Sequence, residues 1–249
     1  MTHEITRVQS EPKILKFLPY LSVITFIVAW QLLVDSGVIP KELLATPTDV
    51  AKMFLRKLAD TSPDGKLLST HLLISVTEAF VGYILSLLIG LPLGLLMGWF
   101  RLAEGLARPI FEMLRPIPPI AFIPLAVFWF GIGMTGKIFI IWVSGVVPCV
   151  INAYVGVKMT NPTLINMART YGASNWQIFL NLCIPSAMPM IFGALQIALA
   201  YCWICLVTAE LVAANAGLGF MITMGRRLVL PDMIVLGMVM VGLTGAIIG

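Results

Sequence analysis

The chain has 249 residues, of which 59% are hydrophobic and 11% charged, with a net charge of +4 and a mean hydropathy of +0.97. That balance excludes a soluble globular domain and indicates an all-α polytopic membrane protein. The small positive charge leaves no nucleic-acid footprint, and the isolated His3 and His71 indicate no metal site.

Residues 1–16, with Arg7, Lys13 and Lys16, read as a cytoplasmic tail. The apolar run that follows lacks the small-residue cleavage site of a signal peptide. As Phe17–Val34 it is about long enough to cross the hydrocarbon core, so it is the first expected span. Basic residues before it and Asp35 after it place the N-terminus inside. Residues 36–70 form the longest polar connection. A helix opens there at Thr46-Pro47 or Thr48 and alternates Val50, Met53, Phe54 and Leu58 with Lys52, Arg56 and Lys57. Such an amphipathic helix lies on the membrane surface or packs on the protein's own outer face. His71–Trp99 is the second span. Its Gly90, Gly94 and Gly98 follow the small-xxx-small pattern that lets helices approach closely. Pro92 implies a kink, and Glu78, a carboxylate at membrane depth, is expected to face a cavity or a partner.

Arg101, Arg108 and Arg115 bracket the next connection. Then Pro116, Pro118, Pro119 and Pro124 place four prolines in nine residues, which no continuous helix tolerates. Irregular backbone at membrane depth survives where protein or a water-filled cavity surrounds it. The segment therefore faces a translocation path, or fills space between helices as a re-entrant turn. Gly131–Lys137 fits the phosphate-cradling G-x-x-x-x-G-K loop, but Ile138 stands where Ser or Thr would hold magnesium and no strand precedes it. It reads as a short turn. Ile138–Val157, with Pro148 and Asn152 inside it, is the fourth span. Cys149, Cys183, Cys202 and Cys205 all sit within or beside apolar runs, so Cys202 and Cys205 read as packing residues despite their C-x-x-C spacing.

The loop 158–186 holds a polar island, 161–185, with the punctuation of two short helices. Asn161 is an N-cap, Pro162 suits the first helical position, Gly172 the left-handed C′ position, and Ser174 with Gln177 a capping box. Leu164, Met167, Ala168 and Tyr171 fall on one face. A helix this short is marginal alone, so a partner must hold that stripe. Arg169 is the island's one basic residue, too little for a DNA-binding helix-turn-helix; an ordinary surface connection between spans is the plainer alternative. Ala187–Leu211 is the fifth span, with Gln196, Tyr201 and Glu210 as its polar atoms. Arg226, Arg227 and Asp232 mark an outer connection, and Met233–Gly249 is the sixth span.

Ala168-Arg169-Thr170-Tyr171-Gly172-Ala173-Ser174, closed by Ile184-Pro185, resembles the cytoplasmic "EAA" loop of ABC-importer permeases. The family's opening Glu-Ala is Asn166-Met167 here, while the glycine, the Ala-Ser after it and the closing proline are kept. Arg115–Pro119, Ile123–Leu125 and Trp129–Gly133 resemble the RPIPP…IPL…WFGIG stretch of the nitrate/sulfonate/taurine/bicarbonate branch, and Ala209–Leu211 with Gly217–Phe220 its AE…GLG stretch. The resemblance runs from about residue 17 to the end. It implies a type I importer-like permease domain at 17–249, about six spans in the inner (plasma) cell membrane of a prokaryote, and a coupling helix that docks on a separate cytoplasmic ABC ATPase. The residues it marks for that contact are Leu164, Met167, Ala168, Arg169, Tyr171, Gly172, Ala173 and Ser174. ATP and Mg would sit on the ATPase, leaving this chain cofactor-free and non-catalytic, and an extracytoplasmic substrate-binding protein would deliver the solute. The branch implies a small anion such as nitrate, bicarbonate or an organic sulfonate, with small aromatic or heterocyclic nutrients left open. Members of the family often carry a basic residue near the position of Glu78, and they continue into an arginine-rich end, so the stop at Gly249 implies truncation.

Six spans carry too few polar groups to enclose a solute within one chain. A path at the interface of two copies, closed symmetrically as a homodimer, suits the glycine-rich second span and the proline-rich third. Its candidate residues are Glu78, Arg115, Pro116, Pro118, Pro119, Gln196, Tyr201 and Glu210. Arg115 either attracts anions at the inner end of the path or snorkels to the interface. Two other classes compete. A self-sufficient secondary transporter would couple through Glu78 and Glu210 but usually shows a repeated half, and none is evident. An intramembrane enzyme would need an activated nucleophile, and Ser75 and Ser144 have no histidine deep in a span to serve as base.

Overall fold

The computed structural model describes residues 18–248; the tail at 1–16, Phe17 and Gly249 lie outside the described residues. Those described form helices and connecting turns, with no strand among them. Helix α1 (Leu18–Asp35) is followed by α2 (Pro47–Ala59), α3 (Leu68–Trp99) and α4 (Arg101–Leu114). A short 3₁₀ turn at Pro119–Phe122 leads into α5 (Ile123–Phe130) and then α6 (Met134–Lys158). Next come α7 (Pro162–Thr170) and α8 (Asn175–Ile178), which runs through a π-turn at Phe179–Cys183 into α9 (Ile184–Val212). Finally α10 (Leu218–Arg227) precedes α11 (Pro231–Ile248). Five helical stretches are long and apolar enough to cross a membrane, and α4 with the segment Pro119–Phe130 makes a sixth if a pair bent by 84° counts as one span.

The bundle is built around α6, with α3 on one side and α9 on the other. The α3 face turned to α6 carries a small residue every fourth position: Gly82, Ser86, Gly90, Gly94 and Gly98, all buried. The backbones meet so closely that a Cβ added at Gly90 would lie 2.7 Å from Cys149 Cβ, and one at Gly98 2.7 Å from Val157 Cβ. The glycine stripe is thus consumed within one chain, which corrects its expected use between two copies. Lipid offers no hydrophobic drive for helix pairing, so this close van der Waals fit holds α3 to α6. All four cysteines are buried free thiols, as packing residues should be. Pro92 lies inside α3 without interrupting it.

Two connections turn out to be helical. Residues 101–114 form amphipathic α4 despite Gly105 and Pro109, and 218–227 form α10. Between its two stated alternatives, α2 takes the protein's own surface: Val50 and Met53 are buried in a cluster with Met233 and Leu236 of α11. Thr46 caps it, its hydroxyl accepting the Asp49 N–H at 3.1 Å. Lys57, expected on the polar face, is instead fully buried. Helix α1 leans chiefly on α2, and most of its apolar side chains are exposed, as a lipid-facing helix requires.

Candidate functional site

At one end of the bundle the chain makes an elbow from α7 and α8. Asn161 Oδ1 accepts the Thr163 N–H at 2.9 Å and starts α7. Gly172, at φ +80°, stops it. The Gly172 N–H donates to Arg169 O and the Ala173 N–H to Ala168 O, both at 3.0 Å, which is the paired bonding of a Schellman C-cap. One residue later Ser174 opens α8 with a complete capping box: its N–H donates to Gln177 Oε1 at 2.8 Å, and its Oγ accepts the Gln177 N–H at 3.3 Å. Orphan backbone groups at both sides of the turn are therefore satisfied, and the bend is stiff.

The elbow is seated on one side and bare on the other. Ile165, Ala168 and Ala173 pack against a cluster of Val157, Ile178, Phe179 and Cys183, which Leu95, Trp99 and Phe100 at the α3–α4 junction also join. The expected single stripe divides accordingly: Ala168 faces the body, while Leu164 and Met167 are about half exposed and Tyr171 is 85% exposed. Arg169, Gly172 and Ser174 are exposed as well.

Beside this elbow α4 is strapped to the last turns of α6. Glu104 accepts from the Tyr154 hydroxyl at 2.6 Å, from Lys158 Nζ at 2.8 Å and from Arg108 at 3.3 Å, and Arg108 also reaches Glu112 at 2.7 Å. The sequence reading places Arg108 only at the edge of a connection and gives Lys158 no role. The spacing of Glu104, Arg108 and Glu112 at four-residue intervals was the available signal.

Further along, where α4 breaks at Arg115–Pro118, a cleft of about 600 Å³ opens between the break, α6 and α9. Of the path candidates, Arg115, Pro118, Pro119 and Tyr201 border it. Pro116 and Gln196 are exposed elsewhere, and the two carboxylates are in neither place. Glu78 pairs with Lys137 at 2.6 Å, both side chains nearly inaccessible. The lysine of the rejected phosphate-loop lookalike is thus the counter-ion of a buried carboxylate near the start of α6.

Glu210 belongs to a second buried network at the end of the bundle opposite the elbow. Ser75 donates to its Oε1 at 2.6 Å and the Gly219 N–H to its Oε2 at 2.8 Å. The Leu218 N–H donates to Ser75 Oγ and the Gly217 N–H to His71 Nδ1. Gly217 has φ +121°, and a Cβ there would collide with the Glu210 carboxylate, so the Gly-Leu-Gly turn is shaped around that side chain. With Nδ1 accepting, His71 carries its hydrogen on Nε2, 3.1 Å from Asp64 Oδ2. Lys57 completes the chain of contacts, with Asp64 Oδ1 and the Lys66 carbonyl as its partners. Burial pushes the Asp64 carboxyl up, yet its contacts with His71 and Lys57 outweigh that and hold it at about 2. This network ties α2, α3 and α9 to the 213–218 turn. It is structural in position, away from the cleft.

An elbow of this build, a proline-broken third span and an AE…GLG turn point to one kind of protein, and the comparisons with known proteins decide it. Residues 90–249 match the family model described as binding-protein-dependent transport system inner membrane component. The chain belongs to this family. Among relatives of this permease, the taurine transport system permease protein TauC of Escherichia coli is 37% identical over 173 residues, which are 70% of this chain and 63%, just under two thirds, of that protein. The putative aliphatic sulfonates transport permease protein SsuC of Escherichia coli is 32% identical over 232 residues, 93% of this chain and 86% of that one. The permease also superposes on a chain of the MetNI methionine ABC transporter, in a structure of its inward-facing conformations. That match has a TM-score of 0.57 at 23% identity and covers 71% of this chain and 91% of the other, which establishes a shared fold. A multi-pass inner-membrane location follows from the family and the apolar helices. The family is one of transport-system membrane components, not catalysts.

Proposed function

We propose that this permease forms the translocation path of an ATP-driven importer for a small anion, paired with a second copy of itself. Its elbow docks on a separate cytoplasmic ATPase, which holds ATP and Mg, and an extracytoplasmic binding protein delivers the solute. The observation that carries this reading is the two-sided elbow. A stiffly capped turn shows Leu164, Met167 and Tyr171 to the outside while its other face is packed into the bundle. A short helix with an exposed apolar face and a fixed seat is built to be pushed.

The push has a physical route. The elbow's seat contains the ends of α3 and α6 and the start of the α8–α9 helix, so these move with it. The Glu104 cluster joins α4 to the last turn of α6, and α4 leads directly to the Arg115–Pro118 break at the cleft. Closure of two ATPases on ATP would draw two such elbows together and shift the cleft's opening from one side of the membrane to the other. Energy enters because the inward- and outward-open states fit the closed ATPase pair differently. A secondary transporter working through Glu78 and Glu210 is not favoured, since the family is that of ABC importers and neither carboxylate borders the cleft.

The test is an elbow substitution. Gly172→Pro cannot be accommodated at φ +80°, because the proline ring fixes φ near −65°. Together with Ala173→Glu it is expected to abolish ATP-driven uptake in proteoliposomes while the solubilised chain still melts cooperatively. Unchanged uptake in both variants would exclude the docking role.

A further inference from the structure

The cleft at the α4 break is more particular than a passage for any small anion. Five aromatic side chains border it: Phe111, Phe122, Phe139, Trp142 and Tyr201. Among the described residues that line it, Arg115 is the one charged side chain, and no carboxylate faces it. The other polar groups are mostly committed. Ser144 gives its hydroxyl to Ile141 O at 2.7 Å, and Asn152 gives its amide to Pro148 O at 2.9 Å. The Tyr201 hydroxyl makes no hydrogen bond among the described residues, and the Trp142 indole N–H, also without a partner, has no surface open to the cleft.

Donors without a competing acid select a negative head group. Rings on several sides select the body that carries it. A nitrate ion has four heavy atoms and no apolar surface, so it gains nothing from five rings and would leave most of about 600 Å³ to water. An aliphatic amine-bearing anion would bring a cation into a cleft that has no carboxylate to meet it. A flat apolar body instead gains burial and offset or edge-on ring contacts together. We propose that the cleft takes an aromatic monoanion, a sulfonate or carboxylate on a ring-sized planar body, with Arg115 holding the head group. This deepens the permease reading and rests on it for the role of the cleft.

The test is calorimetric titration of the solubilised full-length chain with benzenesulfonate, taurine, nitrate and benzyl alcohol, the last having the ring without the charge. Benzenesulfonate should bind at least about tenfold more tightly than the other three. Arg115→Gln should erase its advantage over benzyl alcohol. The comparison among ligands needs no variant, so it stands even if a variant folds poorly. Equal or tighter binding of taurine or nitrate, or no binding of benzenesulfonate, overturns the proposal. Uptake with the ATPase in proteoliposomes separates the two readings. ATP-driven uptake of taurine or nitrate but not benzenesulfonate upholds the permease and overturns the aromatic site. Binding of benzenesulfonate in the predicted order, with no ATP-driven uptake of any anion, upholds the site and overturns the importer.

Discussion

Among the described residues, buried Lys57 and the Glu78–Lys137 couple are paired with opposite charges, while Glu210 is held by neutral donors, and the pairs set what single substitutions do. Removing one member of the Glu78–Lys137 pair leaves a bare charge where no water reaches it. Lys137→Met should therefore cost about 3–5 kcal/mol. The double variant Glu78→Leu/Lys137→Met should recover most of that, because a well-packed apolar pair is close to neutral in the same place. Thermal unfolding of the two variants in detergent checks it, and a double variant no better than the single would mean the pair does more than satisfy itself. Asp64 gives the pH dependence. Its folded carboxyl sits at about 2, below the ordinary 3.8, so its contribution is fully present above about pH 4 and is lost as pH falls towards 2. That is about 2 kcal/mol by linkage. Melting curves of wild type and Asp64→Asn should converge as the pH drops through that window and separate above it.

At the scale of elements, the local signals were readable and the long-range ones were not. Caps act within four residues, so Asn161, Gly172 and the Ser174–Gln177 box could be read directly from the chain, and the elbow they close is the one found. The proline-rich break after Arg115 was legible for the same reason. Helix α4 was not: the stretch after Arg101 read as a connection bracketed by arginines, while its charge ladder ties it to Tyr154 and Lys158, which lie on another helix. The glycine stripe of α3 was visible as a contact surface, but nothing in a periodic pattern says which helix answers it. The answer is α6, and it makes Gly94 the most constrained position, because an added Cβ there meets the Val150 carbonyl and the Ala153 methyl. Gly94→Val should cost at least about 1–3 kcal/mol by overpacking and lower the yield of folded protein. Gly242→Val, a site with open space around it, should not. Equal behaviour of the two variants in a melting assay would contradict the close fit.

The whole molecule has two unlike ends. The end with α2, α10 and the Gly217–Gly219 turn is knotted by buried polar contacts from Lys57 through Asp64 and His71, and from Ser75 to Glu210. These join residues far apart in sequence, so the sequence shows only isolated polar side chains in apolar runs, and Glu78 and Glu210 were natural candidates for a path they do not border. The other end is held by short-range caps and one surface ion cluster, and it presents the bare face of α7. Such a division suits the lever proposed for it: a rigid frame at one end, and at the other the proposed handle, with the cleft between them. The most direct measurement of that claim is cross-linking from the handle. Tyr171→Cys, at 85% exposure, is treated with a short bismaleimide in the presence of the ATPase proposed to drive uptake, with Leu43→Cys, 75% exposed near the opposite end, as the control. The account predicts a permease–ATPase product from position 171 whose yield changes with ATP, and none from position 43. A product from 43 and not from 171, or from neither, would contradict it.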